Sequence, residues 1–185
     1  MLPLIPRRRS LQTLFLSFLW SLPSPCRSKA VNVTIDDYYG DSRTGALPTF
    51  DPAGTTEGAG CDSCNINRAG IDPSQIFRGT WHESTNRDSS DKLTITATFT
   101  GTAVYVYNVI AINEPGISLS TNLQFLIDGQ SVGTYVRQQS NTATPSFQYN
   151  VPVFGKTGLS NSQHTIQLVS AEVQGVTIFD YFEYT

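Results

Sequence analysis

The side chains best equipped for chemistry in this sequence fall into three groups. Carboxylates stand near both ends of the chain beyond its apolar start, Asp36 and Asp37 early, Asp180 and Glu183 late. Aromatic and hydrogen-bonding residues meet at Trp81-His82 and again at Tyr38-Tyr39, while Asn113-Glu114 offers polar groups in a loop. Cys61 and Cys64 form the third group.

Counting by twos from Val176 places Asp180 on one face with Ile178 and Phe182, the face expected to be the core. A buried carboxylate needs a cation or several donors. Calcium, which takes about six to eight oxygen ligands, would satisfy it. The alternative is that Asp180 accepts backbone amides from a neighbouring loop. An indole beside an imidazole could stack on a sugar ring and bond its hydroxyls, which makes Trp81, His82, Tyr38, Tyr39, Asn113 and Glu114 the candidate carbohydrate-binding set. The alternative for Trp81 is a packed position beneath a long loop, since large aromatics are usually buried to a high degree.

Catalytic signatures do not emerge. The G-x-S-x-G elbow is missing, and a redox C-x-x-C needs a strand-to-helix setting, whereas Cys61 and Cys64 lie in a Gly-rich loop. Two cysteines and the distant His82 and His164 do not have the spacing of a zinc site. His164 is expected to make a hydrogen bond that fixes a strand entry. A carboxylate pair for glycoside hydrolysis is set by the fold and not by sequence spacing, and no motif points to one. The expectation is a non-enzyme.

The elements that position these residues begin after residue 30. Arg7, Arg8 and Arg9 precede the apolar run Leu11 to Leu22, which gives way through Pro23 and Pro25 to Ser28-Lys29-Ala30. That order describes a secretory signal peptide cleaved after Ala30, with an apolar run short of the roughly 20 residues a membrane span needs. The mature chain, residues 31–185, then keeps seven basic residues against 15 acidic ones, a net charge of −8. Nucleic acid and anionic lipid are poor partners for such a surface, and no later stretch would insert into a membrane. Export also places Cys61 and Cys64 in an oxidising compartment, where they are expected to bridge. Asn32-Val33-Thr34 is a glycosylation sequon close to the new terminus.

The mature chain has the size of one domain, and its periodicity is that of strands. Leu93, Ile95, Ala97 and Phe99 alternate with Thr94, Thr96 and Thr98, and a second strand over residues 103–112 is apolar on both faces, as a central strand would be. Gly101-Thr102 between them reads as a tight hairpin. Asp128-Gly129 marks another hairpin, with a type I′ turn joining 123–127 to 131–136. Further strands are expected at 31–35, 46–50, 147–153, 164–170 and 176–184, with no amphipathic helix. Short strands separated by turns indicate a sandwich or barrel. Residues 40–75 read as a short strand plus a crossing loop pinned by the cysteines.

The runs Phe99-Thr-Gly-Thr-Ala-Val-Tyr-Val-Tyr107, Phe125-Leu-Ile-Asp-Gly129, Leu159-Ser-Asn-Ser-Gln-His-Thr-Ile166 and Phe179-Asp-Tyr-Phe-Glu-Tyr-Thr185 resemble galactose-binding-like jelly rolls. With Ile35-Asp-Asp37, Cys61-Asp-Ser-Cys64 and Phe77-Arg-Gly-Thr-Trp-His82, residues 31–185 are similar to a group of secreted or single-pass ectodomains of mushroom-forming fungi. Members often continue into a transmembrane helix and cytoplasmic tail. This sequence ends at its last strand, which reads as a soluble or a shortened form. The resemblance implies an all-β jelly-roll β-sandwich whose first and last strands lie side by side. That would bring Asp36 and Asp37 near Asp180 and Glu183 as a candidate set for the structural calcium that similar jelly rolls often carry. The expected function is a secreted, non-catalytic module binding carbohydrate or cell-wall glycan. The alternatives are an adhesion or structural ectodomain with a protein partner, and a glycosidase or esterase relative.

Overall fold

The computed structural model describes residues 30–53, 56–61, 64, 66, 70–86, 92–112, 120–138, 147–170 and 175–185. They build an antiparallel jelly-roll β-sandwich from β1 (Val33–Asp36), β2 (Gly40–Asp41), β3 (Thr49–Asp51), β4 (Thr56–Glu57), β5 (His82–Thr85), β6 (Thr94–Ala111), β7 (Thr121–Ile127), β8 (Gln130–Arg137), β9 (Phe147–Ser170) and β10 (Val176–Tyr184). The expected signal segment, residues 1–29, lies outside the described residues. Among the described residues no helix is long and apolar enough to cross a membrane.

Two long strands make the sandwich one body. β6 and β9 pair from Thr94↔Val169 to Ala111↔Phe147, through both layers. In one layer β10 lies beside the C-terminal part of β6, with β1 and β5 sharing the other edge of β10. In the other, β3 flanks the N-terminal part of β6, and β7 then β8 follow the C-terminal part of β9. The central strand expected at 103–112 is therefore central, between β9 and β10.

The hairpin expected at Gly101-Thr102 does not exist. The chain continues as one strand, and its register with β9 shifts between Gly101 and Ala103. A shift of this kind bends a strand and lets it pass from one layer to the next. Gly101 is required for a close approach: a Cβ there would collide with the Thr185 carbonyl, which accepts from Thr102 N at 2.6 Å. The two strands expected at 147–153 and 164–170 are likewise one strand, β9, in which Ser162 and Gln163 pair with β6 and residues 158–161 fall in the register shift. The Asp128-Gly129 turn is as expected, since Asp128 (φ 52°) and Gly129 (φ 76°) both adopt the positive φ of a type I′ turn.

Alternation along these strands fills the space between the layers. Ile95, Phe99, Val104 and Val106 of β6 meet Leu123, Phe125 and Ile127 of β7, Ile166 and Leu168 of β9, and Phe179 and Phe182 of β10 in one cluster. Phe154 stacks on Phe125 across the layers, centroids 4.6 Å apart. A second cluster lies outside the β10 layer: Val109, Ala111, Val176 and Ile178 are roofed by Ile66, Ile71, Ile76 and Trp81 from the long crossing segment. That roof is pinned by Asp72 N donating to the Tyr149 hydroxyl at 2.8 Å.

Trp81 anchors the roof and is 1% exposed. Trp81→Ala should therefore cost roughly 3–5 kcal/mol of folding stability, as a large-to-small change in a packed interior does. Urea denaturation of the variant checks this, and a loss below about 1 kcal/mol would contradict the packing described.

Candidate functional site

The first and last strands do lie side by side, with Val33↔Tyr184 and Asp36↔Tyr181 opposed. Asp180 is the extra residue of a bulge, because the register of β10 with β6 shifts between Phe179 and Tyr181. The bulge reverses the alternation, so Ile178 belongs to the roofed outer cluster and Phe182 to the core between the layers. The sequence count that put them on one face fails at this point. The bulge also aims Asp180 at the roof, where Phe77 N donates to its Oδ2 at 3.4 Å.

Asp36 and Asp37 reach the same place from β1. Asp36 Oδ1 accepts the backbone amides of Tyr38 at 3.1 Å and Tyr39 at 2.7 Å, an Asx turn that fixes the chain leaving the strand. Thr80 Oγ1 donates to Asp37 Oδ1 at 2.7 Å, and His82 Nδ1 lies 2.8 Å from Asp37 Oδ2. The His82 ring stacks on Phe50 at 3.9 Å. All three aspartates are buried. Burial raises the pKa of Asp36, and raises that of Asp180 to about 8, with the charges of Asp37 and Asp36 adding to the effect at Asp180.

These carboxylates do not fit the expected calcium set. Glu183 points elsewhere, accepting from Asn32 Nδ2 at 3.0 Å. Both oxygens of Asp37 are taken by Thr80 and His82, so only Asp36 Oδ2 and Asp180 Oδ1 are buried without a hydrogen-bond partner. Two oxygens fall far short of the roughly six to eight that calcium requires. Among the described residues no group of three or more His, Cys, Asp or Glu side chains is arranged to hold a metal. A proton retained on Asp180 removes the buried charge instead.

The turn locked by Asp36 presents Tyr38 and Tyr39 at the surface, 48% and 47% exposed, their rings edge to face with centroids 5.0 Å apart. The Arg78 guanidinium lies 3.7 Å over the Tyr39 ring, a cation–π contact that holds it in place. Beside Tyr38 opens a cavity of ≈ 250 Å³ bounded by Asp37, Glu57, Gly60, Thr80 and the edge of Trp81. Of the aromatic residues singled out in the sequence, Tyr38 and Tyr39 are exposed, whereas Trp81 and His82 are buried, Trp81 in the packed position that is its alternative reading. Trp81 is packed, with its indole N–H given to Glu83 Oε2 at 3.0 Å, and His82 is inside against Asp37. Asn113 and Glu114 lie outside the described residues. Sequence reasoning missed Glu57, Arg78 and Thr80, which carry no motif and meet the tyrosines only through the fold.

A second constellation has the residue types of a hydrolytic triad. Asp128 Oδ2 lies 2.7 Å from His164 Nδ1, and the Ser160 and Ser162 hydroxyls are 3.3 and 3.4 Å from Nε2. Nε2, however, is closest to the Ser160 carbonyl oxygen, at 2.9 Å, which calls for a proton on that nitrogen. With Nδ1 against a carboxylate oxygen and Nε2 against a carbonyl oxygen, both nitrogens are placed to donate and neither is placed to take a serine proton; the same two bonds raise the His164 pKa. Its work is to tie the β7–β8 turn to mid-β9, with Asp128 Oδ1 also accepting Thr165 N at 2.8 Å. Cys61 and Cys64 are bridged, clipping the start of the roof. Asn32 is exposed, and its amide nitrogen is the donor to Glu183.

Between the ordinary carboxylate value of 3.8 and about 8, folded Asp180 keeps a proton that the unfolded chain has lost. Stability therefore falls as pH rises through that window. Asp180→Asn is expected to flatten the slope in urea denaturation across pH, and an undiminished slope would assign it to another group. Excess chelator should leave the melting temperature of the wild type unchanged.

No protein-family model matches the sequence, and no curated protein matches it. Among solved structures, the CBM36-1 domain of a multidomain xylanase from the hindgut metagenome of Trinervitermes trinervoides is similar at 17% identity over 83% of this chain and 95% of that one, with a TM-score of 0.39. An exo-beta-1,3-galactanase from Phanerochaete chrysosporium is similar at 15% identity over 84% of this chain and 30% of that one, TM-score 0.45. A family two carbohydrate esterase from Clostridium thermocellum is similar at 19% identity over 57% of this chain, TM-score 0.36, and the match spans 27% of the esterase.

Proposed function

We propose that this domain is an extracellular, non-catalytic carbohydrate-binding module that holds a sugar against the Tyr38-Tyr39 turn. The observation that carries the reading is a pair of exposed tyrosines, locked by a buried aspartate at the mouth of a small cavity. Exposed aromatic rings give sugars an apolar face to stack on, and the rings are held before the ligand arrives, which lowers the entropy lost on binding. Glu57 and Thr80 line the cavity with oxygens that can accept hydrogen bonds from sugar hydroxyls. The cavity is below the roughly 300–1,000 Å³ of drug-sized pockets, which suits the edge of one ring with the rest of a glycan lying across the tyrosines.

The same geometry favours binding without turnover. Glycoside hydrolysis needs two carboxyl groups free to act on either side of a bond. Asp37 is held by Thr80 and His82 on both of its oxygens, leaving Glu57 without a partner for that chemistry at this cavity.

A glycan array with the wild-type domain should identify a neutral oligosaccharide ligand. Tyr38→Ala should then weaken binding by roughly 2 kcal/mol, about thirtyfold, in calorimetric titration. Its melting temperature should stay near that of the wild type, because the ring is exposed. An array without hits, or unchanged affinity in the variant, would defeat the proposal.

A further inference from the structure

A second cleft lies away from the tyrosine turn, and its chemistry is different. It has a volume of ≈ 440 Å³ and runs between the loop that follows β2 and the outer face of β6 and β9. Arg43 and Thr44 form one side, Thr98, Thr100, Asn161 and Gln163 the other, and Tyr184 with Asp41 the floor.

The loop that carries Arg43 is rigid. Asp41 Oδ1 accepts the amides of Arg43 at 2.7 Å and Thr44 at 2.9 Å. Gly45 N donates to the Asp41 carbonyl at 2.7 Å, and Asp41 N to the Ala46 carbonyl at 2.9 Å. Gly40 adopts φ 72°, and a Cβ there would press on the Ala46 carbonyl, so the loop closes tightly on its own backbone. Asp41 Oδ2 is also committed, to the Tyr184 hydroxyl at 2.9 Å. The one carboxylate in the cleft therefore has both oxygens engaged within the fold.

Arg43 is left with a free guanidinium. Among the described residues the ion pairs within 4.0 Å both belong to histidines. Arg78 is spent on the Tyr39 ring and Arg137 on the Ala111 carbonyl, whereas no side chain among the described residues pairs with Arg43. Asn161, Thr98 and Thr100 are exposed and Gln163 likewise, and their side chains have no hydrogen-bond partner among the described residues. A planar guanidinium pairs bidentately with a carboxylate, and amides and hydroxyls pair with sugar hydroxyls.

We infer that this cleft is a second glycan subsite, specific for a sugar bearing a carboxylate, a uronic acid residue, which Arg43 grips while Asn161 and Gln163 take its hydroxyls. The sugar part of this inference rests on the carbohydrate-binding reading; the carboxylate part rests on Arg43.

Tetragalacturonate and its fully methyl-esterified form differ in the charge of the carboxyl groups, and calorimetric titration of both into wild type, Arg43→Gln and Tyr38→Ala tests the inference. Wild type is expected to bind the acid at least about tenfold more tightly than the ester, with Arg43→Gln losing that preference and Tyr38→Ala keeping it. Arg43 is exposed, so the variant should melt as the wild type does. Equal binding of acid and ester, or acid binding unaltered in Arg43→Gln, would overturn the inference. So would failure of the wild type to bind tetragalacturonate, oligoglucuronate and oligomannuronate alike. Loss of acid binding in Tyr38→Ala would place the acid at the tyrosine turn and also overturn it. If Arg43-dependent acid binding persists while no neutral glycan binds, the inference stands and the proposed tyrosine site falls.

Discussion

The pairing of β6 with β9 is the constraint on which the rest of this molecule depends. Two strands that pass together through both layers must bend at the same place, and they do so where Gly101 lets the C-terminal carbonyl of Thr185 come against the ladder. The bend brings Phe99 and Val104, five residues apart, into one interior between the layers. It also sets the positions of both candidate sites. The last strand lies against the C-terminal half of β6 and delivers Asp180 to the tyrosine turn. The outer face at the bend carries Thr98, Thr100, Asn161 and Gln163 to the second cleft.

Around the tyrosine turn, buried carboxylates serve as structural acceptors. Asp36 spends one oxygen on two consecutive backbone amides, Asp37 spends both on Thr80 and His82, and Asp180 takes the Phe77 amide from the roof. Three elements, β1, β10 and the crossing segment, are joined by these bonds and not by apolar contact alone. Three negative charges so close would repel one another strongly in a low dielectric. Burial pushes the pKa of Asp180 up to about 8, the neighbouring charges of Asp37 and Asp36 push it the same way, and a proton on Asp180 removes one charge from the group. The arrangement makes the rigidity of an exposed binding turn a property of its buried foundation.

Much of the fold was legible because strand period is a local signal. The alternation from Leu93 to Phe99, the Asp128-Gly129 turn and the span of β10 can all be read from a few neighbouring residues. What failed was continuity. Gly101-Thr102 and the Ser-rich stretch before His164 have the composition of turns, yet both lie within strands, because close approach of another backbone also demands glycine and a solvent-facing strand also tolerates serine. The two-residue strands β2 and β4 are too short to show any period. At the site, Asp followed by two residues after a strand is a readable Asx-turn signal, and the exposed tyrosines agree with it. At Trp81 the sequence leaves both readings open, a platform because of the polar run after it and a packed position beneath the long loop, and the roof that makes it the packed one comes from residues distant in sequence. The Asp180 bulge was illegible, since one inserted residue reverses the facing of the residues beyond it without any mark in composition.

The overall charge of the domain bears on how its two sites would divide their ligands. Over residues 31–185, 15 acidic residues face seven basic ones, so at long range this part of the chain repels polyanions. Such repulsion fades beyond a Debye length of about 8 Å at physiological ionic strength. Contacts at hydrogen-bond distance are screened far less. An acidic glycan would thus be recognised where a cation projects from the surface without an ion-pair partner among the described residues, the position Arg43 occupies beside an Asp41 carboxylate held by amides and the Tyr184 hydroxyl. The tyrosine turn is the reverse case. Asp37 and Glu57 line its cavity and Arg78 is drawn onto Tyr39, so an anion there would meet carboxylates, whereas neutral hydroxyls would meet acceptors. Selection by charge would then be a local matter, set by which side chains each loop has already used to hold itself together.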